Sequence, residues 1–415
     1  MTITNKKLLA FTGAFVPFND TVTLMSYKHL RVLDHQVDVV ALHGKEDDSI
    51  VEELKNDPYY QKFNILYVAS YDKTITGLSN KNVVMGIYNI IKYIKGCLKQ
   101  FDKENYNIIY SSSIPSFTHL AAYIIKLKHK DVHWIAAFSD PLINSPYKKD
   151  DERIKEYNPI IRFGFFLYIF IYMNDIYEKI AMKHADKLVF ISEQQRLFML
   201  NNAKVKETAN LIAKTTVVPL TYIKEWMVYQ KLLANSSRSK KQYPLIAAHF
   251  GRIYGLRKID VFINALIRLK YKIPNLHQFI VFHFYGEVSE RYLKRIKEEN
   301  LESLFMFYDK VSYAEANDKM INCDILLLFD TITNKGEQQP FLPSKTLEYL
   351  LLRKPILALT QNNSPAFELL QSYGHNFCTD KSDEMITYIM TLIKDLPSYN
   401  YDVSNLDNEN VEKIV

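Results

Sequence analysis

The stretch Phe341-Leu-Pro-Ser-Lys-Thr-Leu-Glu-Tyr-Leu-Leu-Leu-Arg-Lys-Pro-Ile-Leu-Ala-Leu359 decides the architecture. It reads as a short loop, a helix opening at Pro343-Ser344, and a buried strand from Pro355. The first N–H groups of a helix lack intrahelical partners, and the helix dipole stands behind them, so the tip suits an anion such as a diphosphate. Glu348 follows Ser344 by one turn and shares its side of the helix. A carboxylate there can accept bonds from two neighbouring sugar hydroxyls. Phosphate at the tip and ribose one turn in would hold a nucleotide. The plain alternative is an ordinary capped helix packed on a strand.

Outward from this stretch, short apolar runs alternate with helix-period segments. The runs Leu8–Thr12, Val37–Leu42, Ile65–Ala69, Ile108–Ser111, Trp134–Phe138 and Leu188–Ser192 read as strands, with Val217-Val218-Pro219 closing that half. A second series reads Leu245–Phe250, Phe279–Tyr285, Leu304–Phe307, Ile325–Phe329 and Ile356–Leu359, with helices such as Asp260–Lys270 and Ala366–Ser372 between. Such alternation argues for parallel sheets covered on both faces. The expected fold is α/β, with two Rossmann-like parallel-sheet domains facing across a cleft and no short-period repeats. The first domain spans residues 1–222. A linker with the polar, basic run Asn235-Ser-Ser-Arg-Ser-Lys-Lys241 covers 223–243, and the second domain 244–396. The polar tail 397–415 is expected to pack back on the first domain.

Composition narrows the function classes. Of 415 residues, 48% are apolar, which excludes a disordered or fibrous chain. Three dispersed cysteines, Cys97, Cys323 and Cys378, show no metal-ligand spacing and suit a reducing, cytoplasmic compartment. Lys6-Lys7 precede the apolar Leu8 to Phe15, but no small-residue cleavage site follows, and Pro17, Asn19 and Asp20 come quickly. A first core strand is the better reading than a signal peptide. The most apolar run, Phe163 to Met173, falls short of the ~20 residues that span a bilayer. The net charge of +6 is unevenly placed. Lys92, Lys95 and Lys99 punctuate an amphipathic segment, Val83 to Gln100, and Lys126, Lys128, His129 and Lys130 close the next. Basic amphipathic helices suit the inner face of an anionic membrane; the alternative is a solvated face opposite a core stripe. No motif for nucleic acid accompanies the charge.

Three further segments carry chemistry. Gly13, in Thr12-Gly-Ala-Phe-Val-Pro17, ends the first strand and lets backbone approach a ligand, although a turn needing glycine reads equally well. It is not a dinucleotide fingerprint. The strand Leu245–Phe250 runs into Gly251-Arg-Ile-Tyr-Gly-Leu-Arg-Lys258, where Arg252, Arg257 and Lys258 form a clamp for phosphate oxygens. The strand His133-Trp-Ile-Ala-Ala-Phe-Ser-Asp140-Pro141 ends in a carboxylate, either at a ligand or capping a turn. No Asp-x-Asp follows an apolar strand, no HExxH or histidine cluster is present, and there is no G-x-S-x-G or P-loop. Neither a metal nor a resident cofactor is expected.

These segments, in this order, resemble retaining GT-B glycosyltransferases, close to glycosyltransferase family 4 and its bacterial surface-polysaccharide branch. The carriers are Gly251-Arg252 with Arg257-Lys258, Pro343-Ser-Lys-Thr-Leu-Glu348-Tyr with Lys354-Pro355, Ala185-Asp-Lys-Leu-Val-Phe-Ile-Ser192, Ser139-Asp140-Pro141 and the loop at Gly13. The resemblance implies a metal-independent hexosyltransferase that takes a nucleotide-diphosphate sugar. Arg252, Arg257, Lys258 and Asp140 would be catalytic. Gly13, Gly251, Ser344, Lys345 and Glu348 would bind donor, and a glycan or lipid-linked acceptor would sit near Gly13 and Asp140. Many relatives carry two glutamates eight positions apart; Glu348 matches the second, and Pro340 stands where the first would be. That departure keeps two rivals open, a catalytically silent partner subunit and a sugar-nucleotide epimerase. An oxidoreductase is disfavoured by the Gly13 turn.

Overall fold

The computed structural model describes residues 7–70, 83–149, 165–206, 208–236, 242–334, 337–410 and 414. The chain forms two compact units, Met1–Ile223 with Leu406–Val415, and Lys224–Asn405.

The first unit runs β1 (Lys7–Phe11), α1 (Thr21–Arg31), β2 (Gln36–His43), α2 (Asp48–Lys55), β3 (Phe63–Ser70), α3 (Val83–Phe101), β4 (Ile108–Ser112), α4 (Phe117–Lys128), β5 (His133–Ala137), α5 (Phe165–His184), β6 (Lys187–Phe190), α6 (Glu193–Ala203), α7 (Ala209–Ala213) and β7 (Thr215–Val217). Its sheet has the order β3-β2-β1-β4-β5-β6-β7, with every pairing parallel. Leu8, Leu9, Ala10 and Phe11 are fully buried, as a strand covered on both faces requires. The expected strand Leu188–Ser192 stops at Phe190 because Ser192 turns to cap α6, its hydroxyl accepting from Gln195 N at 3.1 Å.

The second unit runs α8 (Met227–Ala234), β8 (Leu245–Phe250), α9 (Asp260–Lys272), β9 (Ile280–Tyr285), α10 (Glu290–Glu298), β10 (Phe305–Tyr308), α11 (Tyr313–Asn322), β11 (Ile325–Phe329), α12 (Lys345–Leu352), β12 (Ile356–Leu359), α13 (Pro365–Ser372), β13 (Cys378–Thr379) and α14 (Ser382–Lys394). Its parallel sheet has the order β10-β9-β8-β11-β12-β13. Each sheet grows outward from its first strand and then jumps to the other side. The reversal falls between β1 and β4 in one unit and between β8 and β11 in the other. Open α/β sheets take ligands at the carboxyl ends beside such a reversal.

The segment read as a linker contains α8, which buries Tyr229 and Leu232 and follows the buried Trp226. The basic run Asn235–Lys241 lies outside the described residues from 237 onward, as do residues 163–164 of the apolar run. Asp407, beyond the second unit, bridges Tyr222 of the first. Asn408 N donates to Tyr222 O at 2.8 Å, and Asn408 Nδ2 to Lys28 O at 3.0 Å. No described helix is long and apolar enough to cross a membrane.

Candidate active site

At the carboxyl end of β8 the backbone turns through Gly251 at φ +147°. Gly286, the residue after β9, has φ +133°, and a Cβ there would lie 2.6 Å from Gly251 O. The two loops therefore touch backbone to backbone, and only glycine fits at 286. Arg252 is exposed, with its guanidinium 4.8 Å from the centre of the Tyr254 ring. Arg257 Nη1 donates to Arg252 O at 3.2 Å, and its Nε is buried with no partner. Lys258 is half-buried just ahead of α9. Among the described residues none of these three cations has a carboxylate partner within 4.0 Å.

Beneath this turn sits His249, only 3% exposed. Burial pushes its pKa down to about 3, so the ring is neutral. Nδ1 faces Leu327 O at 3.1 Å and carries the proton; Nε2 is then an acceptor, and it has no partner. Nε2 and Arg257 Nη1 lie 3.6 and 3.7 Å from where a Cβ on Gly251 would stand.

Across the reversal, Asp330 directly follows β11. Its carboxylate accepts from Gln339 Nε2, Thr331 N and Thr360 Oγ1, each at 2.7 Å. Burial pushes its pKa up to about 6 against these bonds. Gln339 also accepts from Phe341 N. Gln339 and Pro340 are both buried and pin the loop that leads to α12.

Ser344 stands at the N-cap of α12 with no side-chain capping bond. Thr346 N and Leu347 N are already bonded to Pro343 O and Ser344 O, at 3.0 and 3.3 Å. Glu348 is 6% exposed. Its Oε1 accepts from the Tyr313 hydroxyl at 3.2 Å and from Lys345 Nζ at 3.5 Å, whereas Oε2 is buried without a partner. The Arg257 charge is felt by His249, Asp330 and Tyr349, so the β8 turn, the end of β11 and α12 share one neighbourhood. The unpartnered buried atoms His249 Nε2, Arg257 Nε, Thr346 Oγ1 and Glu348 Oε2 belong to these elements. Unmet polar groups are costly and point to a missing partner.

The remaining sequence candidates belong to the first unit. A Cβ on Gly13 would lie 2.4 Å from Pro115 Cδ and 2.8 Å from Ile114 O, so the close approach this glycine permits is to its own chain. Asp140 is exposed beyond β5. The loop after it is anchored by the buried Glu178, which accepts from Leu142 N at 3.1 Å and Ile143 N at 2.7 Å. Lys354, a carrier of the family resemblance, is structural: its buried Nζ donates to Ile321 O at 2.6 Å and also to Cys323 O. Of the basic residues closing α4, Lys126 is likewise occupied, paired with Asp186 at 2.7 Å. Lys92, Lys95 and Lys99 remain exposed on α3, beside exposed Ile87, Tyr88 and Ile91. Among the described residues no group of three or more His, Cys, Asp or Glu side chains is placed to hold a metal.

Sequence reasoning missed His249, Asp330, Gln339 and Tyr313. Two of them carried a signal: a histidine inside the apolar strand Leu245–Phe250, and a carboxylate directly after the wholly apolar Ile325–Phe329.

No protein-family model and no curated protein matches the chain. Solved structures do share its fold. Sucrose-phosphate synthase from Thermosynechococcus elongatus matches with a TM-score of 0.60 at 12% identity, over 94% of this chain and 90% of that one. WaaG, a glycosyltransferase involved in lipopolysaccharide biosynthesis, matches at 0.57 and 12%, over 93% and 90%. The UDP-GlcNAc 2-epimerase of Methanocaldococcus jannaschii matches at 0.52 and 15%, over 97% and 96%. The likeness is one of fold, the GT-B arrangement of two Rossmann-like units in one chain.

Proposed function

We propose that the chain is a glycosyltransferase that moves a sugar from a nucleotide-diphosphate sugar to a glycan or lipid-linked glycan, with retention, in cell-surface polysaccharide or glycoconjugate synthesis. One observation carries this reading: three cations without carboxylate partners at the end of β8, in the neighbourhood of a carboxylate in α12 with one oxygen unmet. As the glycosidic bond breaks, negative charge grows on the departing diphosphate. Arg252, Arg257 and Lys258 would stabilise it without a divalent metal, each fixed donor of this kind contributing ~10²–10³ in rate elsewhere. Gly251, Ser344, Lys345 and Glu348 would hold the rest of the donor. In this reading the acceptor attacks from the face the diphosphate leaves, so no second carboxylate is needed. The first unit, with Asp140 exposed beyond β5 and Gly13 at the end of β1, is assigned to the acceptor.

The exposed lysines and apolar residues of α3 favour work at the inner membrane surface. Flotation with vesicles containing anionic lipid should carry the protein upward; no binding with or without anionic lipid removes that part. A thermal-shift panel of nucleoside diphosphates and nucleotide sugars tests the donor, since a bound ligand raises the melting temperature. A second reading, a sugar-nucleotide epimerase, is supported by the fold shared with the Methanocaldococcus enzyme. A transferase releases nucleoside diphosphate and needs an acceptor; an epimerase converts one sugar nucleotide to another and releases none. A purified chain that binds no donor and turns none over would instead be a silent partner.

A further inference from the structure

The outer edge of the second sheet is bare where sheet edges are ordinarily guarded. β10 stands at that edge and pairs with β9 on its inner side. Tyr308 O accepts from Gly286 N at 3.1 Å. In a parallel ladder alternate residues turn both backbone groups to the same neighbour. Met306 and Tyr308 therefore turn theirs to β9, and Phe305 and Phe307 point N–H and C=O outward. Edge strands are usually blunted by brevity, charge, proline or a bulge. β7 and β13 have three and two residues, and β3 slips register against β2 between Ala41 and Leu42. β10 reads Phe-Met-Phe-Tyr, with no charge and no proline. Met306, Phe307 and Tyr308 are 47%, 40% and 42% exposed, the only three consecutive large apolar side chains so exposed among the described residues. Such a run in water calls for a partner.

The flanks of the strand say which partner. Glu302 lies four residues before Met306 and Lys310 four residues after it, and both are exposed. A second copy laid antiparallel, with the two-fold axis at Met306, sets Glu302 of each chain opposite Lys310 of the other. Asp309 then faces the neutral Ser303. A parallel copy would set Glu302 on Glu302 and Lys310 on Lys310. In the antiparallel register Phe305 and Phe307, whose backbone groups point outward, meet as hydrogen-bonded pairs, and Met306 meets Met306 as the non-bonded pair, as the alternation of such a ladder requires. The Phe305 and Phe307 rings already stack at 5.7 Å within one strand, so aromatic side chains would pair across strands as well. We propose that β10 is a dimer edge: two copies of this chain join their second sheets, antiparallel through Met306, into one continuous sheet. A two-fold contact of this kind closes on itself and uses up both open edges.

Two measurements on the full chain test this. Sedimentation velocity in low-salt buffer should show a monomer–dimer equilibrium across the micromolar range. Lys310→Glu sets like charges opposite each other at both ends and should weaken the dimer at least about threefold, because a modest exposed pair counts twice. Glu302→Lys combined with Lys310→Glu restores both pairs and should return the affinity to within about twofold of wild type. Both positions are exposed, so neither change threatens the core. The second measurement reads the register. Opposed Met306 Cα atoms would stand ~4.5 Å apart, within disulfide reach, and the two Tyr308 Cα atoms roughly 14 Å apart, beyond it. The native cysteines are buried. Oxidised Met306→Cys should therefore run as a covalent dimer, and Tyr308→Cys as a monomer. A wild type that stays monomeric overturns the proposal, including the case in which another polypeptide takes the edge. A dimer that crosslinks at Tyr308 and not at Met306, or that is indifferent to Lys310→Glu, uses another register or surface and overturns it equally.

Discussion

Arg252 and Glu348 are the residues on which the proposed chemistry turns, and they differ in cost. Arg252 is exposed and bonds only through its backbone carbonyl and the Tyr254 ring, so Arg252→Ala should leave folding intact. Turnover should fall at least about tenfold, as for other preorganised donors to a developing anion. Glu348→Ala should cost a similar factor. Steady-state release of nucleoside diphosphate measures both, and full activity in both variants rejects the site. The sequence pointed to these two residues because each follows a strand or opens a helix within a recognisable spacing. It did not point to Tyr313 or Gln339. A tyrosine opening a helix and a glutamine in a loop acquire roles only through partners distant in the chain, Glu348 for one and Asp330 for the other.

The strands were legible because a parallel strand buried on both faces must be apolar throughout; Ile325–Phe329 is both expected and observed without a shift. β13 escaped because two residues carry no pattern, and α8 because its neighbour, the basic run after Asn235, dominates the reading of that segment. The contact between the β8 and β9 turns was also invisible, since no local rule ties Gly286 to Gly251. It has a measurable consequence. A methyl group at 286 would meet Gly251 O at 2.6 Å and force the turn that carries Arg252 to move. Gly286→Ala should therefore weaken nucleotide binding by at least about tenfold, out of proportion to any change in melting temperature, since misplacing a binding group by an ångström can cost ~10²-fold. Unchanged affinity in thermal-shift titrations would show that the turn does not need its present position.

At the scale of the whole molecule, buried titratable groups set the pH range of stability. Burial pushes His29 and His375 down to about 4, and His119 and His249 down to about 3. Two of these lie in each unit. Below the unfolded value of about 6.5 the unfolded chain takes up protons that the folded chain refuses, so stability falls as pH drops from about 6.5 toward 4. Each group contributes up to ~1.4 kcal/mol per pH unit in that window. Glu178 acts in the opposite sense. Burial raises it to about 8, so the folded first unit keeps a proton that the unfolded chain loses, and stability declines as pH rises from about 4.5 toward 8. Calorimetric scans from pH 5 to pH 8 should show acid-side losses in both transitions, and Glu178→Gln should flatten the alkaline-side loss of the first unit alone. A melting temperature that is level between pH 7 and pH 5 contradicts the histidine account.

The residues that complete the first unit, from Leu406 on, follow all 182 residues between Lys224 and Asn405. During synthesis the earlier unit must wait, its contacts to Asp407 and Asn408 unmade, until the later one has been produced. The inserted unit leaves and re-enters its host beside the bridge between Tyr222 and Asp407. Its two ends are thus moored close together, in sequence positions flanking that bridge.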